Sequence, residues 1–212
     1  MQKKVRSNWV LYPEKYLSKR QARKLLKMAK RLADQAIIKG QRIAYRDHFV
    51  INLALSTGLR VMEIAQLNCG DLFLREETSF VLVRRGKGSK SRLVRISQQL
   101  KRHCQEYLVW KDTLREPTRP TDPLILSSNT NRHMTTRALQ NVFKKLASLA
   151  ELPAHYSIHC LRHTYACLLY KASNYNLRLV QKQLGHTSIK TTQVYADVMT
   201  RDVTRAVERL WN

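Results

Sequence analysis

Residues 79–97 read "SFVLVRRGKGSKSRLVRIS", and this stretch decides the fold class. β-branched and other apolar residues cluster on either side of "GKGSK" (86–90), the pattern of two antiparallel strands joined by a glycine-rich turn. From Phe80 to Arg102 there are eight Lys or Arg and no acid, so the turn is the tip of a cationic hairpin. The flanking sequence has the helical period throughout. The chain is therefore expected to be α+β, mainly α, with a small antiparallel sheet or hairpin.

Upstream, "LSKRQARKLLKMAKRLADQAIIKG" offers Ser18 as N-cap, a basic amphipathic helix and Gly40 as its stop. A second helix, "AYRDHFVINLALSTG", ends at Gly58, and "LRVMEIAQL" restarts the pattern at once, presenting Arg60 at the start of a new helix. Downstream, helices are expected in "QQLKRHCQEYLVWKDTL" and "TTRALQNVFKKLASLAEL", separated by the loop "EPTRPTDP". After Pro153, "YSIHCLRHTYACLLYKAS" has Ser157 as its expected N-cap, and "NLRLVQKQLGH" stops at Gly185. A short helix "SIKTTQ" should then return the chain before Tyr195, and "TRDVTRAVERLW" forms the last helix. The organisation expected is a basic N-terminal segment and helix over 1–41, followed by one domain over 42–212.

The 212 residues carry 39 Lys and Arg against 15 Asp and Glu, a formal net charge of +24, with 43% hydrophobic content. That composition describes a globular chain, and so large a surplus of one sign needs a polyanion to screen it. Double-stranded DNA is the leading partner. A membrane is the competing polyanion, but the longest apolar runs fall far short of the roughly 20 residues a spanning helix needs. The basic N-terminus lacks the apolar run of a secretory signal, so the cytoplasm or nucleoid is the expected location. Cys69, Cys104, Cys160 and Cys167 form no CxxC pair and are expected as reduced thiols in or near the core.

His159 and Arg162 stand three apart near a helix N-terminus, where backbone N–H groups and the helix dipole already favour an anion. His163 makes a zinc helix worth considering, but a metalloprotease would need Glu where Cys160 stands, and no further ligands follow at suitable spacing. His163 reads instead as a core or supporting histidine, and no metal or cofactor is expected. Taken singly, Arg60 reads as a partner for Glu63, Lys87 as a solvated lysine, His186 as a helix-terminal histidine and Tyr195 as a core aromatic.

Together they say more. The stretches "ALSTGLRVMEIAQLNCGDL", "VRRGKGSKSRLVRI", "SIHCLRHTYACLL" and "VQKQLGHTSIKTTQVYADV" present Arg, Lys, His-x-x-Arg, Gly-His and Tyr in the order found in the tyrosine recombinases, also called the phage integrase family. The resemblance spans roughly residues 42 to 198. It implies that Arg60 and Arg162 hold the scissile phosphate, that Lys87 is the hairpin lysine, that His159 and His186 fill the two histidine positions, and that Tyr195 is the nucleophile. Lys90 is the rival for the Lys87 position.

Each role has a chemical reason. Two guanidinium forks can hold both non-bridging phosphate oxygens in a fixed plane, as lysine cannot. A tyrosine hydroxyl with a pKa near 10 needs a base, for which His159 is the candidate. The departing 5′ oxygen needs a proton, which Lys87 can deliver, and His186 donates a hydrogen bond to the phosphate. Arg84, Arg85, Lys90 and Arg92 are the expected DNA contacts. The implied activity is site-specific cleavage and rejoining of DNA through a 3′-phosphotyrosyl intermediate, for integration, excision or inversion. A DNA-binding regulator without turnover and a type IB topoisomerase are the alternatives.

Most family members carry a further N-terminal helical domain that clamps DNA, whereas only some forty residues precede the second helix here. The expected partners therefore include accessory DNA-binding proteins as well as copies of the chain in a synaptic tetramer. Val203, Val207, Leu210 and Trp211 are the face expected to dock on a neighbouring subunit.

Overall fold

Ser18 opens the first helix, α1 (Lys19–Ile38), with a capping box. Its hydroxyl accepts the Gln21 N–H while the Gln21 side chain accepts the Ser18 N–H, so two otherwise orphaned donors are satisfied. The computed structural model describes residues 13–75, 77–84, 91–186 and 188–197. Arg85, Lys87 and Lys90, at the hairpin tip, lie outside the described residues, as do Val203, Val207, Leu210, Trp211 and the expected last helix.

The buried face of α1 is Ala22, Leu25, Ala29, Ala33 and Ala36. Small alanines let it lie close against α2 (Ile43–Thr57), which is apolar around most of its circumference and buries Phe49, Val50, Ile51, Leu53, Ala54 and Leu55. Leu17, Ala22, Leu25 and Ala29 share one core cluster with α2 and with α3 (Val61–Ala65), α4 (Gln98–Thr113) and α5 (Thr136–Leu149). A smaller cluster joins α6 (His159–Ala172), α7 (Leu177–Leu184) and α8 (Lys190–Asp197), with Ala166, Cys167, Val180, Leu184 and Tyr195 buried together. The four cysteines are free and buried.

The hairpin is present as β2 (Ser79–Val83) and β3 (Arg92–Arg95), paired antiparallel with Val81 opposite Val94 and Val83 opposite Arg92. Ser79, Val81 and Val83 face inward while Phe80 and Leu82 are half-buried. A third strand, β1 (Leu72–Leu74), pairs with β2 and completes the order β1-β2-β3. Three residues are too few to display a period, and so the sequence gives no sign of it.

Two boundaries differ from expectation. Ile158, not Ser157, occupies the cap position of α6, in αR geometry and without a side-chain bond. The chain enters by a preceding turn in which the Ser157 carbonyl accepts the Cys160 N–H at 2.9 Å. Nor does "SIKTTQ" end before the tyrosine: α8 runs continuously through Tyr195 to Asp197. Gly58 and Gly185 do end α2 and α7, both left-handed, at φ 62° and 65°. Each is also a close approach, since a Cβ would strike the Tyr165 ring at Gly58 and the Arg92 side chain at Gly185.

Candidate active site

The left-handed turn at Gly58 does two things at once. It lets α3 begin three residues later with Arg60 at its N-cap, and it turns the Gly58 carbonyl toward α6, where it accepts from Arg162 Nη1. Arg162 Nη2 donates to the Leu184 carbonyl and to His186 Nε2, both at 2.9 Å. One buried guanidinium thus ties the ends of α2 and α7 together. Burial first, then the charge of Arg60, lowers the Arg162 pKa to about 10, which leaves it cationic at neutral pH.

Glu63 organises the other side. It accepts the Arg60 N–H at 2.8 Å and Arg60 Nη1 at 2.9 Å, and Arg92 grips both its oxygens at 2.8 Å. Arg92 was expected among the DNA contacts. In the protein without DNA its guanidinium is held by this carboxylate, with the side chain only 13% exposed. This placement has a tertiary cause: β3 lies along α7, where the Gln183 amide bonds the Arg95 N–H and C=O at 3.1 and 3.2 Å, and Arg92 is drawn in across Gly185. Arg84, by contrast, keeps a side chain 49% exposed while its Nε bonds Asp71.

Burial alone would raise the Glu63 pKa, but the hydrogen bonds and charge of Arg92, with the donors of Arg60, outweigh it and pull the pKa from 4.5 to about 2. A depressed carboxylate stabilises the fold above its unfolded pKa, and the benefit is lost as pH falls through the folded value. Glu63→Gln should therefore cost roughly 3 kcal/mol at neutral pH. Urea denaturation at a series of pH values should show the gap from wild type closing between about 4.5 and about 2. A gap that stays constant over that interval would show that the loss is one of packing, not of the charged clamp.

His186 follows Gly185 directly. Its Nδ1 meets Thr192 Oγ1 at 2.9 Å while Nε2 faces Arg162. Burial and the charges of Arg162, Arg60 and Arg92 lower its pKa to about 3, so the ring is neutral. Tyr195 lies 2% exposed, its ring 6.5 Å from that of His186 and nearly parallel to it at 12°. Burial raises the phenol pKa to about 12, with the charge of Arg162 opposing. The hydroxyl is paired with His163 Nδ1 at 3.1 Å. His163 is itself held neutral by burial and by Arg162, with a pKa of about 4, so Nδ1 can accept the phenolic proton.

The structure thus brings Arg60, Arg162, His186 and Tyr195 together from α3, α6, the end of α7 and α8. His159 is the first residue of α6, exposed beside them; the partner of the tyrosine hydroxyl is His163. The Arg92 bond of Glu63, the role of Thr192 and the Tyr195 contact of His163 escape a reading of the sequence. Glu63 follows Arg60 by one helical turn and was visible as a partner, but nothing local shows that it also holds Arg92, and Thr192 carries no signal at all. Arg60 and Arg92 share the single Glu63 carboxylate while Arg162 bonds two carbonyls and His186, which leaves a surplus of positive charge, and Arg92 Nε is buried without a partner among the described residues. Such a pocket accepts an anion. Among the described residues no group of three or more His, Cys, Asp or Glu gathers to hold a metal, and no helix is long and apolar enough to cross a membrane.

Known proteins resemble this chain in sequence and in fold. Tyrosine recombinase XerC of Pseudomonas fluorescens (strain Pf0-1) is 37% identical over 161 residues, covering 76% of this chain and 51% of its own. Tyrosine recombinase XerD of Brucella melitensis is 36% identical over 188 residues, 87% of this chain and 59% of its own. The chain spans about half the length of the curated relatives it matches. Among solved structures, XerH site-specific recombinase bound to a palindromic difH substrate in a post-cleavage complex superposes with a TM-score of 0.74 at 23% identity, covering 93% of this chain and 54% of that one. XerA recombinase gives 0.71 at 24%, covering 92% and 66%. The sequence model of the phage integrase family matches residues 15–201, and the chain, with its helical fold and small antiparallel sheet, belongs to that family.

Proposed function

We propose that this chain is the catalytic domain of a site-specific DNA recombinase that cuts and rejoins strands through a 3′-phosphotyrosyl intermediate. The observation that carries the reading is the convergence of Arg60, Arg162 and His186 beside the Tyr195 ring, from four separate elements. In the reaction, the scissile phosphate lies between the guanidinium groups of Arg60 and Arg162, which neutralise the charge that builds on its non-bridging oxygens. Tyr195 gives up its proton and attacks phosphorus. The bond to the 5′ oxygen breaks, and that oxygen takes a proton, leaving a 5′ hydroxyl and the protein joined to the 3′ phosphate. One phosphodiester bond replaces another, so the reverse attack by a 5′ hydroxyl reseals the strand without an outside energy source. His159 as base and Lys87 as acid remain assignments from the family resemblance. In the free protein the tyrosine hydroxyl faces His163 at 3.1 Å, so its proton already has an acceptor when the oxygen turns a lone pair toward phosphorus.

Double-stranded DNA as partner is supported by the charge of +24 and by a relative in fold, the Tn1549 transposon integrase, solved in complex with circular intermediate DNA. Assembly into a synaptic tetramer, aid from accessory proteins and residence at the nucleoid belong to the same proposal. The test is covalent capture from a library of random duplexes, each nicked so that the released 5′ fragment diffuses away. A protein–DNA adduct at a 3′ end, on a restricted set of sequences, is the expected result. Captured sequences should then be joined to one another in a two-duplex reaction. No adduct on any sequence would favour a regulator, and an adduct with relaxation but no joining would favour a topoisomerase.

The placement of Arg92 gives a separate expectation. Each phosphate contact contributes about 0.9 to the slope of log affinity against log salt. On a nonspecific duplex, Arg84→Gln should lower that slope by about this amount, while Arg92→Gln should leave it unchanged because Glu63 already holds that side chain. An equal fall for both would return Arg92 to the DNA surface.

A further inference from the structure

His186 has to be a donor if it is to bond a phosphate oxygen, yet in the free protein it is arranged the other way. Arg162 has only N–H donors, so the 2.9 Å contact makes His186 Nε2 an acceptor without a proton. The proton of the neutral ring is therefore on Nδ1, and the Thr192 hydroxyl, 2.9 Å away, accepts it. Thr192 is wholly buried on α8, one turn before Tyr195, and its hydroxyl bonds no other described group. A hydroxyl can donate as well as accept. The groups facing the imidazole are Arg162 and His163 of α6, Arg60 at the start of α3, Arg92 of β3 and the Tyr195 ring of α8. Those charges hold the ring neutral, so it can gain a proton on Nε2 only by losing the one on Nδ1.

We propose that Thr192 is a positioning residue that sets the tautomer of His186: it accepts from Nδ1–H at rest and donates to bare Nδ1 once a phosphate engages Nε2. The exchange conserves charge, one proton leaving Nδ1 for water as another reaches Nε2 from water, while the hydroxyl rotates to follow. Arg162, relieved of its bond to Nε2, is then free to donate to the same phosphate. The residue thereby links the anion pocket to the helix that carries the nucleophile. The proposal rests on the reading of His186 as a phosphate donor.

The test reads the ring nitrogens directly, by multiple-bond proton–nitrogen NMR on histidine-labelled protein near neutral pH, with inorganic phosphate as the probe. Wild type should show Nδ1–H without phosphate and Nε2–H with it. Thr192→Val, close in shape but without the hydroxyl, should show no single tautomer at rest, and Thr192→Ser should restore the wild-type pattern. On captured DNA, Thr192→Val should slow adduct formation roughly tenfold with affinity unchanged, the loss expected for one hydrogen bond, and Thr192→Ser should recover most of it. An Nε2–H ring at rest in wild type, a doubly protonated ring with phosphate, or a wild-type pattern in Thr192→Val would each overturn the proposal. Should phosphate move no His186 or Arg162 signal, the phosphate reading of the pocket fails, and the resting contrast between Thr and Val still decides whether Thr192 sets the tautomer.

Discussion

Tyr195→Phe is expected to remove covalent capture of DNA down to background while leaving the fold intact. The two halves of that result have separate causes. Phenylalanine fills the same buried space between Ala166, Cys167, Val180 and Leu184, and among the described residues the change deletes only the hydroxyl and its bond to His163 at 3.1 Å. That costs about 1 kcal/mol, small beside the stability of a domain of this size. Chemistry loses everything, because the other hydroxyl near His186, that of Thr192, is wholly buried and bonded to Nδ1 on the far side of the ring from Arg162, and so cannot take the place of the phenol as nucleophile. With burial holding the phenol at about 12, phenolate is not present beforehand at neutral pH, and the proton must leave within the reaction step. The adduct is read on a denaturing gel with end-labelled nicked duplex, and a cooperative melt by circular dichroism lowered by only about 2–4 °C rules out unfolding. An adduct that persists in Tyr195→Phe would take the residue out of the mechanism.

How much of this was legible beforehand depends on how far each feature reaches along the chain. The hairpin, the caps at Ser18 and the stops at Gly58 and Gly185 are set by residues within a few positions of one another, and the structure has them where the sequence points. The strand β1 is set by its neighbour: Leu72, Phe73 and Leu74 become a strand because β2 offers an unpaired edge. At the site the division is the same. Arg60, Arg162, His186 and Tyr195 could be named from ordered motifs, but the bonds between them could not. Arg92 reads as one more cation of a basic hairpin until α7 brings Gly185 under its side chain and α3 brings Glu63 to its guanidinium. His163 reads as packing until α8 folds back and sets the tyrosine hydroxyl against it. Both depend on pairs of residues 29 and 32 positions apart, beyond any local pattern.

The second large effect belongs to Arg162→Lys, a substitution that keeps the charge and should still cost roughly 10²–10³-fold in the rate of adduct formation. Arg162 spends three N–H groups on the Gly58 carbonyl, the Leu184 carbonyl and His186 Nε2, out of the five a guanidinium carries. Those bonds fix the plane in which the remaining donors meet a phosphate. An ammonium has no plane and cannot reach two carbonyls on different helices while also presenting a pair of donors to one anion. Lysine would leave one of the carbonyls unpaired in a buried place, at about 1–3 kcal/mol, and would take from His186 Nε2 the donor that complements the Thr192 contact on Nδ1. The rate should therefore fall far more than affinity for a nonspecific duplex, whose salt slope counts charge and not shape. Since the Arg162 pKa stays near 10, the wild-type side chain holds one charge across the neutral range, and the deficit of the lysine variant should be the same throughout it. A variant that cuts within about threefold of wild type would show that charge alone suffices there, against the argument from planarity.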